Sequence, residues 1–196
     1  MKAVRVSGIP LAVLSASLAL IFLCHCPCPR KPCVLAPVCV DFEDQEVDAV
    51  FNVGEVLSAS NVEFGVEEFF YGGGGSTTDG KAVIDDRGYS RGGGKDLNTR
   101  NVNLRPYFSH NVKSVDLYFA ELGGNVNLSI NGDFKNTANL HDLNNTVVGG
   151  VQVTVEDIQE GNNYYGRLKA VGTISEFSIG GQELWIDNFC FEPTFD

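Results

Sequence analysis

The sequence predicts an all-β fold, an antiparallel two-sheet β-sandwich of the jelly-roll kind, and three observations predict it. Apolar and polar residues alternate over short runs, the period of a half-buried strand. Glycine and asparagine punctuate those runs where turns are needed. From residue 37 onward there is almost no helical periodicity.

Taken in order, Val38, Val40 and Phe42 alternate with Cys39, Asp41 and Glu43. Val62, Phe64 and Val66 alternate with Glu63 and Glu67. In the middle of the chain Val115, Leu117 and Phe119 point to one face, and Asp116, Tyr118 and Ala120 to the other. Gly123-Gly124 is expected to turn the chain. Val126, Leu128 and Ile130 then face the core on the return, with Asn125, Asn127 and Ser129 outside. Asn131-Gly132 is the preferred pair for a type I′ turn. Val151, Val153 and Val155 make another strand, and Leu168 with Ala170, then Phe177 with Ile179, make two more. Gly180-Gly181 is expected to reverse the chain into a last strand, Leu184 to Phe191. These runs amount to about eight to eleven strands, the scale of a jelly roll. Two glycine-rich stretches, Gly72 to Thr78 and Arg87 to Lys95, read as mobile loops. The second ends Gly-Gly-Gly-Lys but lacks the phosphate-loop pattern and a following helix, so it is not a nucleotide site.

The chain divides into residues 1–36 and a single domain, 37–196. Lys2 and Arg5 precede an uncharged apolar run from Ile9 to Leu23, the length of a signal-peptide core and short for a spanning helix. A cleaved signal and an uncleaved membrane anchor with a Cys/Pro-rich neck both fit, and both place the domain outside, secreted or at the cell surface. That segment is also the only expected route to a membrane. The domain carries ten Lys and Arg against 25 Asp and Glu, a net charge of −15. A field of that sign repels phosphate backbones, argues against nucleic acid, and favours divalent cations or neutral ligands. Cys24, Cys26, Cys28 and Cys33 crowd near the leader, and their role stays open. Cys39 and Cys190 stand near the two ends of the domain, where an oxidising compartment would join them in a disulfide.

The first strand reads Cys-Val-Asp-Phe-Glu-Asp (39–44) and the last Leu-Trp-Ile-Asp-Asn-Phe-Cys (184–190). This framing resembles the galactose-binding-like jelly rolls found in carbohydrate-binding modules, with Asn188 in place of the second Asp of their closing motif. The stretches from Gly123 to Phe134 and from Gly180 to Asp187 resemble secreted bacterial β-proteins without an assigned activity. The resemblance implies a structural calcium bridging the first and last strands. Asp41 and Glu43 share one face of the first strand, Asp44 opens the next loop, and a Cys39–Cys190 bond would bring Asp187 near. Calcium takes six to eight oxygens, so these four acids are its expected ligands. The plainer alternative is a solvated acidic sheet edge.

A ligand face is expected on the outside of the central strands: Asp116, Tyr118, Asn125 and Asn127, extended by Asn101 and Asn103. Trp185 and the Tyr164-Tyr165 pair offer further aromatic surface. Aromatic planes with amide and carboxylate hydrogen bonds are what sugars require. Catalysis has weaker support. His110 and His141 lie in no recognised motif. Glu67, Glu68, Asp85, Asp86 and Glu121 could supply a glycosidase pair, but none stands out. Asn127-Leu128-Ser129 and Asn144-Asn145-Thr146 are glycosylation sequons. The expectation is an exported, non-catalytic binding module for extracellular carbohydrate, with calcium as its accompanying ion. The alternatives are a structural or surface-assembly protein and, third, a glycan-acting enzyme.

Overall fold

A computed structural model describes residues 36–194; nearly all of the leader segment, with its four cysteines, lies outside the described residues. Fourteen strands carry the fold: β1 (Val38–Val40), β2 (Val50–Asn52), β3 (Val56–Ala59), β4 (Val62–Phe70), β5 (Ser76–Thr77), β6 (Lys81–Asp85), β7 (Asp96–Arg100), β8 (Val102–Pro106), β9 (Val112–Ile130), β10 (Asp133–Thr137), β11 (Thr146–Val148), β12 (Val151–Glu160), β13 (Asn163–Ile174) and β14 (Phe177–Pro193). Among the described residues a single 3₁₀ turn, Leu140–Leu143, interrupts them. Among the described residues no helix is long and apolar enough to cross a membrane.

The strands form one large antiparallel sheet organised on β9 and β14. These two pair from Phe177 opposite Ile130 to Pro193 opposite Val112. One end of the pair is flanked by β13, β12 and β11 beyond β9, and by β7, β6 and β2 beyond β14. The other end is flanked by β10 beyond β9 and by β8 and β4 beyond β14. Between the two ends β14 bends. Phe177 and Phe189 are twelve residues apart on β14, a separation of about 40 Å in a straight strand. Their ring centroids are 5.8 Å apart. Phe64 of β4 also reaches Phe189, at 5.3 Å. The sheet therefore folds over itself, and residues from both ends enter one apolar core.

Two expectations are corrected here. Neither Gly123-Gly124 nor Gly180-Gly181 reverses the chain; both lie inside long strands, at the bend. Their glycines answer to close neighbours rather than to hairpin chemistry. A Cβ on Gly180 would run into the Val102 carbonyl, and Gly124, at φ 80°, has the Gln182 side chain where its own would stand. Side chains are absent where backbones must approach. Gly72 to Thr78 is a hairpin rather than a free loop, with Phe69 opposite Thr77.

Inside the fold the alternation holds. Leu117, Phe119, Leu128 and Ile130 of β9 are buried, as are Val153, Val155, Leu168 and Ala170. The expected disulfide is formed: Cys39 is bonded to Cys190, directly opposite it on β14. It closes a loop with a sequence separation of 151 residues. Cross-links of this kind typically contribute about 2–4 kcal/mol, mainly by restricting the unfolded chain. Reduction, or the Cys39→Ser/Cys190→Ser pair, is expected to lower the thermal midpoint by roughly 5–15 °C while preserving the β-rich circular dichroism spectrum. A midpoint unchanged on reduction would show that the bond adds nothing to the β1–β14 ladder.

Candidate functional site

Residues directly opposite one another on neighbouring strands present side chains to the same face. Register thus assembles the outer face of the sheet end that carries β11, β12 and β13. Glu156, Arg167, Tyr118 and Asp187 form one row across β12, β13, β9 and β14. Ile158, Tyr165, Ala120, Trp185 and Asn98 form the next. Lys169, Asp116, Cys190 and Cys39 form a third. The opposite face of the same strands is core, so these side chains can only point outward.

The loop from Asp86 to Lys95 lies across this face and is pinned, contrary to the mobility expected of it. Ser90 donates to Asp96 through Oγ at 2.5 Å and through its backbone N–H at 3.2 Å. Asn188 Nδ2 donates to the Gly92 carbonyl at 2.6 Å. The Lys95 N–H donates to Glu43 Oε1 at 2.6 Å. The triple glycine makes the close approach feasible: a Cβ on Gly92 would strike Asp187 Oδ2, and one on Gly94 would strike Glu43 Oε1. Arg87 chelates Asp85, and Tyr89 stacks edge-on to Trp185 at 5.0 Å.

Beside the loop a cleft of about 460 Å³ opens over Tyr118, Tyr165, Arg167, Arg91 and Glu156. Tyr118 is 36% exposed. Arg167 forms a bidentate pair with Asp116, both contacts at 2.5 Å. Arg91 lies 4.0 Å above the Tyr165 ring and donates to Glu160 Oε1 at 2.9 Å. The cleft thus offers two phenol rings and two guanidinium planes already held in place by neighbours.

The face expected from the sequence is divided by the fold. Tyr118 lines the cleft; Asp116 does not, but holds Arg167 from beside it and faces a neighbouring hollow with Cys39 and Cys190. Trp185 lies on the same outer surface but is only 7% exposed, covered by the loop, with Nε1 donating to Asp85 Oδ2 at 3.2 Å. Asn125, Asn127 and Asn103 lie toward the other end of β9 and β14, on the outer surface there. Asn103 and Asn127 are buried, and Asn125 Oδ1 accepts from the Gly72 N–H. Asn101 turns the chain between β7 and β8 at φ 57°. Burial of Asn127 also closes the first sequon in the folded chain, whereas Asn144 of the second is exposed. The sequence reading did not single out Arg167 or Arg91, which lie 51 and 69 residues in sequence from the acids that hold them, Asp116 and Glu160.

The expected calcium ligands are partly brought together. Burial pushes the Asp187 carboxyl up to about 7, and the charges of Asp96, Asp41 and Glu43 add to the shift. Asp44 is committed elsewhere, to the Ser60 N–H and to Gln45. Among the described residues no group of three or more His, Cys, Asp or Glu side chains is arranged to hold a metal ion.

Three of the candidate glycosidase carboxylates are held by separate partners. Asp85 is held by Arg87, whose hydrogen bonds bring it down to about 2. Glu121 is buried beneath the 3₁₀ turn, accepts from the Leu140 N–H at 2.9 Å, and burial pushes it up to about 7. Glu67 sits toward the other end of the sheet, paired with Arg105.

No family model matches the chain, and no curated protein or solved structure matches it. Nothing in these comparisons links it to galactose-binding-like domains or to secreted bacterial β-proteins.

The acids set a pH window. Asp85 is lowered by folding, so its contribution is present above about pH 4 and is lost as pH falls toward 2. Glu121 and Asp187 are raised, so their contribution is full below about pH 4 and is lost as pH rises through about 7. Stability is expected to peak near pH 4 and to fall from there toward pH 7, each raised group withdrawing on the order of 1–3 kcal/mol by pH 9. Urea unfolding from pH 3 to 9 measures this. Glu121→Gln should flatten the alkaline limb, and a limb of unchanged slope would show that Glu121 ionises freely in the folded chain.

Proposed function

We propose that the chain is an exported, non-catalytic carbohydrate-binding module, and that the cleft over Tyr118 and Tyr165 is its binding site. The observation that carries this reading is the composition of that cleft. Phenol rings stack on the apolar faces of pyranose rings, and guanidinium and carboxylate groups take the hydroxyls. All of them stand on strands or are held against them, so little ordering is lost on binding. The folded-over sheet suits a two-sheet jelly-roll sandwich of the galactose-binding-like kind, with the terminal motifs joined by the disulfide. That bond fits an oxidising compartment, and hence a secreted or cell-surface location. The net charge of −15 speaks for a neutral extracellular glycan and against nucleic acid.

A glycan array with the oxidised chain tests the proposal. Binding is expected, and Tyr165→Ala is expected to weaken it about tenfold without changing the thermal midpoint by more than a few degrees. Silence across diverse polysaccharides would contradict it. Together with concentration-dependent oligomers in sedimentation, silence would favour a surface-assembly role. That second reading has its own observation: Val147 and Val171 are 59% and 48% exposed, flanking Gln152 on the β11–β13 side of the sheet.

The proposal extends to one structural calcium near Asp187, Asp41 and Glu43, supported by the repulsion that Asp41 and Glu43 exert on Asp187 and by the position of Asp187 and Glu43 against the Gly92–Gly94 backbone. Thermal unfolding with calcium and with a chelator decides it. A native-state ion at a hundredfold excess over its Kd adds about 2.7 kcal/mol. That gain should vanish in Glu43→Gln, and no difference between calcium and chelator would remove the ion.

A further inference from the structure

Toward the end of the sheet that carries β8 and β10 the register sets a second polar row. Glu67, Asn103, Gly180, Asn127 and Asn136 lie opposite one another across β4, β8, β14, β9 and β10. Gly180, between the two asparagines, has no side chain, and Asn103 Oδ1 lies 2.5 Å from where its Cβ would stand. Each asparagine spends only half of its amide on the protein. Asn103 Nδ2 donates to the Glu68 carbonyl at 2.7 Å, and Asn127 Oδ1 accepts from Asn136 Nδ2 at 2.6 Å. The other halves, Asn103 Oδ1 and Asn127 Nδ2, are buried without any partner. Asn103 is 5% exposed and Asn127 1%. Buried polar groups are ordinarily hydrogen-bonded, so one idle acceptor and one idle donor lining the same groove call for a ligand that supplies both complements.

The groove fixes what that ligand is. Its volume is about 160 Å³, well below the roughly 300 Å³ at which whole-ligand pockets begin. It admits a substituent, not a chain of residues. A secondary amide carries a carbonyl for Asn127 Nδ2 and an N–H for Asn103 Oδ1. The rim supplies an apolar surface: Phe70 and Phe134 meet edge to face at 5.5 Å and are 40% and 44% exposed. Glu67 and Glu176 flank Arg105 at the same rim, an excess of negative charge that disfavours an anion. A peptide would bring the same amide, but peptides add to free sheet edges, and here the floor strand β14 is already paired on both sides, with β8 and β9. We propose that this groove is a second subsite that takes the acetamido group of an N-acetylated sugar, with the sugar ring resting on Phe70 and Phe134. The choice of a sugar rests on the carbohydrate-binding reading of the chain; the donor–acceptor pair does not. Asn103 Oδ1 and Asn127 Nδ2 are buried in the unliganded fold, so entry requires side chains at the rim to move, a common change on binding.

The test is a titration of the ¹⁵N-labelled, oxidised full chain with N,N′-diacetylchitobiose and, in parallel, with cellobiose, which has hydroxyls in place of the acetamido groups. The side-chain NH₂ resonances of Asn103 and Asn127 are expected to shift with the first sugar and not with the second. Phe134→Ala, at an exposed rim position, is expected to weaken that response about tenfold. Asn127→Leu is expected to abolish the response at Asn103. Equal response to both sugars would overturn the acetamido assignment. A stronger response to N-acetylalanine methylamide than to chitobiose would overturn it in favour of a peptide. Backbone shifts at Tyr118, Tyr165 and Arg167 report the other cleft in the same spectra. Binding there with a silent groove sinks the groove alone, and silence everywhere sinks both readings.

Discussion

The pairing of β9 with β14 is the constraint on which everything else hangs. Both strands are too long for one flat layer, and both bend near their glycine pairs while staying hydrogen-bonded to each other. Every other ladder attaches directly or indirectly to one of these two strands. The bend brings Phe177, Phe189 and Phe64 into one cluster and so creates the core. It also turns two outer surfaces away from each other, one with the tyrosine cleft and one with the asparagine groove. The Cys39–Cys190 bond then fastens the first strand to the far end of β14.

Burying carboxylates is the cost of laying a loop over the outer face. Asp85 ends β6, Asp96 begins β7 and Asp187 lies within β14, all beneath the loop, and all three are shielded from water. Each is treated differently. Asp85 has Arg87 and stays ionised; Asp96 takes two hydrogen bonds from Ser90, though burial still raises it; Asp187 has mainly Asn188. A buried charge without a counter-ion is unfavourable, and a proton or a cation relieves it. The same loop delivers Arg91 to the edge of the cleft, so the strain beneath it and the site beside it have one origin.

Much of this was legible in the sequence because a strand writes its two faces in alternate residues. The core positions of β4, β9, β12 and β13 follow from that rule, as does the outward pointing of Asp116 and Tyr118. β7 escaped it. Its outward residues Asp96 and Asn98 are polar, which reads as exposed, yet the loop buries both. The glycine pairs misled for a related reason. Gly-Gly is local turn chemistry, but what these glycines accommodate, the Val102 carbonyl and Gln182, comes from remote sequence. Asn101, Asn103, Asn125 and Asn127 looked like one surface with Tyr118, because a bend inside a strand leaves no mark on its alternation. Arg91 and Arg167 could be found only through register.

The bend in β14 is the claim on which both surfaces depend, and a nuclear Overhauser measurement on selectively labelled phenylalanines reaches it most directly. The account predicts strong cross-peaks between the rings of Phe177 and Phe189, whose centroids are 5.8 Å apart, and between Phe64 and Phe189. Their absence, with β9–β14 amides still protected from exchange, would mean a straight ladder. The two faces would then not be arranged as described, and the core would have to be built another way.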